Sequence, residues 1–204
     1  AVDLGFVRGG TVEPAELEDA NLESLGSLFM EPVWLFYREA VAPADTTPPQ
    51  TLDSLTQLQG LRVNDGTPGS GIPNLMGKLL ESNRIAPTAL TLSQLEQTPA
   101  TVALLAGELD AIVFASAPES NLVQMLLQTP GIKLMDFAQN EAYSRRFSFV
   151  SPVVLPRGVV DLAANIPARN VRLIAPTTTL LTRDGTHPAL LQLFALAGNT
   201  IHGG

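Results

Sequence analysis

The chain has 204 residues and a formal net charge of −8, and its composition is 45% hydrophobic and only 16% charged. Such a composition supports a sizeable buried core and excludes intrinsic disorder, and the absence of Cys excludes disulfides and thiolate chemistry. The 12 basic residues are spread along the chain, which argues against a nucleic-acid partner, and the 2 His show no metal-site spacing.

The first part of the chain is predicted to be rich in β-structure. The predicted elements, in chain order, are a strand (2–7), a turn (8–11), a helix (13–22), a β-rich segment (25–38) and a loop rich in Pro and Thr (42–50). Pro32 is expected to interrupt the β-rich segment, because proline cannot donate a hydrogen bond to a neighbouring strand.

From residue 61 onward the pattern changes to an alternation of strands and helices. Short apolar runs mark the strands, and Pro and Gly mark the helix ends. The predicted strands are 61–64, 89–92, 111–114 and 132–135, and the helices between them are 71–83, 98–105 and 118–128. Ser70 is the expected N-cap of the first helix. Three successive strand–helix units predict a parallel, doubly wound sheet.

The rest of the chain is predicted to return to the first group of strands. Its elements are a short helix (139–146), an extended segment from residue 152, a strand (171–182) and a final helix (187–197). We therefore divide the chain into a partial lobe one with a hinge strand (1–58), a complete α/β lobe two (59–156) and a return to lobe one (157–204). Because ligands of open α/β sheets bind outside the carboxyl ends of the strands, we expect a cleft between the lobes.

A Gly-rich loop over residues 66–71 is one candidate for ligand binding. It joins a strand to a helix, where free N–H groups and the helix dipole favour a carboxylate. The residues selected here are Gly69, Ser70 and Gly71. An ordinary tight turn explains the same residues equally well. Ile72 and Pro73 stand where a phosphate-binding loop needs Lys and Ser or Thr, so we expect no nucleotide cofactor.

Two further places carry candidate ligand-binding residues. The first follows the opening strand and comprises Arg8, Gly9, Gly10 and Thr11. Glycine N–H groups there can approach a ligand, and the guanidinium can pair with a carboxylate; a turn with an exposed Arg is the alternative. The second place is Ser116, which either donates a hydrogen bond to the ligand or caps the next helix.

Motifs of catalysis are not found in the sequence. There is no G-x-S-x-G elbow, and a Ser-His-Asp triad would have to use His187 or His202, which stand in turn-like or terminal contexts. The acidic residues show no distinctive spacing. We therefore expect a binding protein without a metal or cofactor rather than an enzyme.

Six groups of residues in a fixed order carry a family resemblance. They are V-D-L-G-F-V-R-G-G-T (2–11), L-G-S-L-F-M-E-P-V-W-L-F-Y-R (25–38), L-R-V with G-S-G (61–63 and 69–71), L-A-G-E-L-D-A (105–111), L-P-R-G-V-V-D-L-A with N-I-P (155–163 and 165–167) and L-I-A-P-T (173–177). Together, over nearly the whole chain, they resemble the TAXI family, the receptor subunits of TRAP transporters.

The resemblance implies a type II periplasmic-binding fold with two α/β lobes joined by crossing strands, and with the part of lobe one before Ala1 missing. It implies an extracytoplasmic receptor, periplasmic or anchored to the membrane, that captures a small organic anion, glutamate-like or a dicarboxylate. The receptor would deliver this ligand to the permease subunits of a TRAP transporter. The residues facing the cleft would be Gly9, Gly10 and Thr11 from lobe one and Gly69, Ser70 and Gly71 from lobe two.

The chain departs from the family at two places, and other functions stay open. Ile72 replaces a Thr and Arg8 replaces a Gln, so the resemblance does not fix the ligand. An effector-sensing domain of a LysR-type regulator shares the fold, and a helix-turn-helix in the whole protein would favour it. A signal peptide or lipid anchor would favour the transport receptor. An enzyme on this fold would need an acid–base pair with perturbed pKa values in the cleft.

Overall fold

The structure is a computed structural model that describes residues 4–11, 21–42 and 51–202. Its strands are β1 (Leu4–Arg8), β2 (Leu22–Met30), β3 (Val33–Arg38), β4 (Arg62–Asn64), β5 (Thr91–Ser93), β6 (Ala111–Ala115), β7 (Ile132–Leu134), β8 (Val150–Leu155) and β9 (Val171–Arg183). Its α-helices are α1 (Ile72–Ser82), α2 (Gln97–Ala106), α3 (Asn121–Gln128), α4 (Asn140–Arg146) and α5 (Pro188–His202). Nearly all of the predicted helix 13–22 and of the predicted loop 42–50 lies outside the described residues, and Leu22 belongs to β2.

Local side-chain chemistry decides where the predicted helices begin and end. Gly107 ends α2 as predicted, with the left-handed φ of 80° that glycine adopts readily. The predicted start of the third helix at Pro118 is wrong. Ser120 is the N-cap of α3, and its hydroxyl oxygen accepts the N–H of Val123 at 3.3 Å.

The larger sheet combines parallel and antiparallel strand pairs. β5, β4 and β6 pair in that order and run parallel, as the strand–helix alternation predicts. β3 pairs antiparallel with both β6 and β7, so the sheet is mixed rather than wholly parallel. The side chains of residues 33–37 in β3 are all 0% exposed, as expected for a strand covered on both faces.

Two crossing connections join this larger sheet to a smaller one. β9 pairs with β8 over residues 171–176 and with β1 and β2 over residues 177–183. β2 continues into β3 through Glu31 and Pro32, which confirms the predicted interruption. The smaller sheet therefore consists of β1, β2 and the end of β9, with α5 packed against β2. The division at residues 58 and 156 stays a prediction.

Helix α1 fixes the Gly-rich loop at the edge of the larger sheet. Its buried side chains are spaced three and four residues apart, which places them on one face of the helix. They are Ile72, Leu75, Met76, Leu79 and Leu80. Because burial of each such side chain stabilises the fold by roughly 1.5 to 3 kcal/mol, the amino end of α1 is held firmly beside the carboxyl ends of the strands.

Candidate functional site

An open cleft with a volume of about 450 Å³, here called the main cleft, lies along the carboxyl edge of the parallel strands. Residues that follow β4, the end of β6 and the first residues of α1 and α2 border it. Its polar lining residues are Arg8, Thr67, Ser70, Glu96, Gln97 and Thr98. Arg8 comes from the smaller sheet, so the main cleft lies between the two sheets where a ligand was expected.

The amino end of α2 opens into the main cleft without a side-chain cap. Glu96 is the N-cap residue, and its side chain makes no capping hydrogen bond. The N–H of Ala100 donates to the carbonyl oxygen of Glu96 at 2.9 Å, so the N–H groups of Gln97 and Thr98 precede the first bonded donor of the helix. Two backbone donors at the positive end of a helix dipole suit a carboxylate or another anion.

The amino end of α1, in contrast, is covered by the turn over residues 8–11. Gly71 is its N-cap with a φ of 77°, and a Cβ at this position would lie 2.6 Å from Cγ2 of Thr11. Asn74 donates from its Nδ2 to the carbonyl oxygen of Thr11 at 3.2 Å. The turn and the Gly-rich loop are thus in direct contact, which brings together two of the three predicted groups of site residues.

Ser70 has a different role from the N-cap that the sequence predicted. Its hydroxyl donates to the carbonyl oxygen of Thr67 at 2.8 Å, which closes the Gly-rich loop. The Oγ also lies 3.4 Å from the backbone nitrogen of Ile72, but Gly71 begins the helix. The N-cap prediction is therefore wrong, because Gly71 is the N-cap and has a left-handed backbone conformation that only glycine adopts readily.

Arg8 is held by two groups of the chain itself. Its Nη1 donates to the carbonyl oxygen of Ser70, and its Nη2 donates to a carboxylate oxygen of Glu31. Only 17% of the Arg8 side chain and 30% of the Glu31 side chain are exposed. Nε of Arg8 is buried and has no hydrogen-bond partner in the described part of the chain. The alternative of an exposed turn Arg is therefore wrong. The carboxylate paired with Arg8 in this structure belongs to Glu31.

Gly9 and Gly10 make room for an aromatic ring. A Cβ on Gly9 would lie 2.6 Å from Cβ of Phe149, and one on Gly10 would overlap the ring of the same residue. The N–H of Gly9 donates to the carbonyl oxygen of Thr177 at 2.7 Å, so this donor is already used within the fold. Packing of the turn against the start of β8 thus explains both glycines.

A second cleft of about 390 Å³ lies on the other side of Arg8. Among the residues proposed from the sequence, Arg8 and Ser70 line both clefts. Three others, Thr11, Gly69 and Gly71, line the second cleft alone. Gly9, Gly10 and Ser116 line neither of these two clefts.

Ser116 lies at the crossing between the sheets. Its N–H donates to the carbonyl oxygen of Pro32 at 3.3 Å, and its own carbonyl oxygen accepts from Nε1 of Trp34 at 2.9 Å. It does not cap α3, because Ser120 does. A hydrogen bond from the Ser116 hydroxyl to a ligand stays a prediction.

A buried carboxyl group lies directly before the Gly-rich loop. Asp65 follows β4 and is only 4% exposed, and burial raises the pKa of its carboxyl group above the usual value. Its Oδ1 has no hydrogen-bond partner among the described residues. Asp65 does not line the main cleft, where Glu96 is the acidic lining residue.

Sequence reasoning missed Thr67, Gln97 and Thr98 as site residues. Gln97 and Thr98 could have been selected from the sequence, because the start of α2 was predicted close to its true position. Parallel strands bring the amino ends of the helices that follow them to one edge of the sheet. The partnership of Glu31 with Arg8 had no local signal, since 23 residues separate them along the chain.

Both the sequence and the fold have known relatives. Residues 1–188 match the model of the NMT1-like family, and no curated protein matches the sequence. The fold is similar to that of the periplasmic aliphatic sulphonate binding protein SsuA from Escherichia coli, with a TM-score of 0.55 and 16% identity over 98% of this chain and 55% of SsuA. It is also similar to the amino acid ABC transporter substrate-binding protein AbpA from Streptococcus pneumoniae, bound to L-arginine, with a TM-score of 0.51 and 12% identity over 94% of this chain and 59% of AbpA.

A third solved structure with this fold is CbnR, a LysR family transcriptional regulator. Its TM-score is 0.51, with 13% identity over 98% of this chain and 53% of CbnR. These likenesses show a fold of the type II periplasmic-binding kind, as predicted. The chain spans little more than half the length of each of the three structures. Among the described residues, no helix combines the length and the apolar character needed to cross a membrane.

Proposed function

Since the chain belongs to the NMT1-like family, we propose that it is a solute receptor that binds a small organic anion between its two sheets. The observation that carries this proposal is the main cleft, which the uncapped amino end of α2 borders on one side and Arg8 on the other. The fold relatives SsuA, an aliphatic sulphonate binding protein, and AbpA, a substrate-binding protein bound to L-arginine, support a receptor for a small solute.

The receptor works by closure of the two sheets around its ligand. The ligand favours the closed state only if it contacts both sides, because differential contact is the source of any shift between two states. The two crossing connections, β9 and the Glu31–Pro32 link, are the natural hinge. Among the described residues that line the main cleft, Glu96 is the acidic one, and the proposal assigns it no catalytic role.

The proposed contacts combine sequence candidates with residues that the fold adds. Gln97 and Thr98 bind the anionic group through their N–H groups, and Thr67 and Ser70 line the opposite wall. Arg8 closes the main cleft from the smaller sheet. Of the remaining sequence candidates, Thr11, Gly69 and Gly71 line the second cleft. Gly9 and Gly10 pack against Phe149, and Ser116 lies at the crossing.

The resemblance to the TAXI family supports a role in transport. We propose an extracytoplasmic receptor that delivers a glutamate-like or dicarboxylate solute to the membrane permease of a TRAP transporter. The segment E-P-V-W-L-F-Y-R over residues 31–38 carries much of this resemblance, and it comprises the Glu31–Pro32 crossing and β3.

An effector-sensing domain of a transcription regulator is the second candidate function, and the likeness to CbnR supports it. Both functions use the same cleft, so ligand binding does not separate them. The discriminating observation is the part joined to this region in the whole protein. A DNA-binding domain with specific DNA affinity favours the regulator, and export from the cytoplasm favours the receptor.

A helix-compatible substitution tests the anion site. Gln97→Pro removes one N–H at the first position of α2, where proline is well tolerated, and Glu96 already has the extended backbone that proline requires of its predecessor. Gln97→Ala removes the side chain but keeps the N–H, so it is the matched control.

Isothermal titration of the whole protein with succinate, succinamate and L-glutamate gives the readout. Gln97→Pro is expected to weaken binding by roughly tenfold, which corresponds to the loss of about 1.4 kcal/mol for one charge-assisted hydrogen bond. Gln97→Ala is expected to change affinity less than threefold, about 0.7 kcal/mol. Equal affinity of the Pro and Ala variants would contradict the placement of the anion at α2.

A further inference from the structure

The charges around the main cleft are nearly balanced by the protein itself. Arg8 is the basic residue that lines it, and Glu96 is the acidic one. Arg8 is already paired with Glu31, so these three side chains carry one positive and two negative charges. The other polar lining residues are neutral, and they are Thr67, Ser70, Gln97 and Thr98.

The geometry of Arg8 limits what it offers to a ligand. A guanidinium has five N–H donors. Nη1 and Nη2 of Arg8 each use a proton on a chain acceptor, and Nε is buried. Glu31 therefore compensates the positive charge of Arg8, and release of Glu31 would leave a partly buried carboxylate unpaired.

We infer that Glu31 is a specificity-determining residue: by neutralising Arg8 it makes the main cleft select solutes with one net negative charge over dianions. This inference rests on the proposed function and narrows its solute class to the glutamate-like solutes with one net negative charge, and it disfavours the dicarboxylates. A singly charged solute is held by the N–H groups at the amino end of α2. A second carboxylate finds no free cation among the described residues that line the main cleft, and it is repelled by Glu96, which stands at the same helix end.

Matched solutes test this selectivity. Succinate and succinamate have nearly the same shape and differ by one negative charge. Titration of the whole protein is expected to show roughly tenfold tighter binding of succinamate, about 1.4 kcal/mol. Glu31→Gln leaves Arg8 without its counter-charge, and the preference is expected to move toward succinate by roughly tenfold. Glu23→Gln removes the same charge from an exposed position on β2 and is expected to leave the preference unchanged.

A charge-balance cycle separates this role from a purely structural one. Arg8→Gln is expected to move the preference further from succinate, because Glu31 then stands alone. The double variant Arg8→Gln/Glu31→Gln is expected to restore the wild-type preference even if both single variants melt at lower temperature. A structural role predicts that the double variant remains impaired, since it lacks the same hydrogen bonds.

Each outcome bears on a different claim. A wild-type protein that does not prefer succinamate, or a preference that neither Glu31→Gln nor Arg8→Gln moves, overturns the inference and leaves the anion receptor standing. Absence of binding for both solutes, with L-glutamate also inactive, contradicts the proposed anion class and the inference with it.

Discussion

Thr11 and Gly71 are in close contact across the two sheets: a Cβ on Gly71 would lie 2.6 Å from Cγ2 of Thr11. This contact joins the turn after β1 to Gly71, the last residue of the Gly-rich loop and the N-cap of α1. The two residues are 60 positions apart in the sequence. Glycine is therefore needed at position 71 for two reasons. The backbone has a left-handed φ of 77°, and Thr11 leaves no space for a Cβ.

We predict that Gly71→Ala lowers the free energy of unfolding by about 1 to 3 kcal/mol, because it adds backbone strain and a steric overlap. Gly69→Ala is the matched control, since no atom lies within 4 Å of a Cβ at that position. Denaturant unfolding measures both. Adding Thr11→Ser to Gly71→Ala removes the overlapping methyl group and is expected to recover part of the loss. Equal stability of the two alanine variants would contradict the contact.

The ion pair between Arg62 and Asp110 stabilises the start of β4 at neutral pH. Arg62 donates from Nη2 to Oδ1 at 2.6 Å and from Nε to Oδ2 at 2.9 Å, and this pairing lowers the pKa of Asp110 from its usual 3.8. A lowered pKa in the folded state means that the stabilisation is present above pH 3.8 and disappears as the pH falls through the folded-state pKa.

Arg62→Gln is therefore expected to lower the free energy of unfolding at pH 7 only modestly, because the Arg62 side chain is partly exposed and solvent screens the ion pair. The difference from the wild type should shrink as the pH is lowered toward 3. Arg145→Gln, at an exposed position on α4, is the control and should show no such pH dependence. A pH-independent loss in Arg62→Gln would show that packing rather than charge is responsible.

The pKa shift of Asp65 is opposite in direction to that of Asp110. Burial raises its pKa from the usual 3.8, so the ionised form is disfavoured in the folded state. The resulting cost to stability is fully present above the folded-state pKa, and it is relieved as the pH falls through that value toward 3.8.

Asp65→Asn is expected to raise the melting temperature at pH 8, because it removes this buried charge while keeping the shape of the side chain. The gain should become smaller toward pH 4, where the wild-type carboxyl group is protonated in the folded state. Asp53→Asn, at an exposed position, is the control. A lower melting temperature of Asp65→Asn at pH 8 would mean that the carboxylate has a stabilising partner.

Local chemistry predicted most of the elements that surround the main cleft. The apolar run of β6 and the glycine that ends α2 are signals within a few residues of the feature they specify. The insertion of β3 beside β6 was not predictable in this way, because the pairing of strands far apart in sequence leaves no periodic pattern.

In the candidate site, too, contacts between residues distant in sequence could not be predicted from local patterns. The turn at residues 8–11 and the Gly-rich loop were both selected from local features, and they do meet in the fold. The roles of individual residues differ from expectation because their partners are distant in sequence. Phe149 explains Gly9 and Gly10, and Glu31 determines what Arg8 can offer to a ligand.

The most direct measurement is a thermal-shift titration of the whole protein with small anions, including succinamate, succinate and L-glutamate, followed by the same titration of Gln97→Pro and Gln97→Ala. We expect a melting temperature that rises with the concentration of at least one of these anions, because a ligand that binds only the folded state stabilises it. Gln97→Pro is expected to reduce this rise, and Gln97→Ala is expected to preserve it. No rise with any anion, or an undiminished rise in Gln97→Pro, would contradict an anion receptor with its site at the amino end of α2.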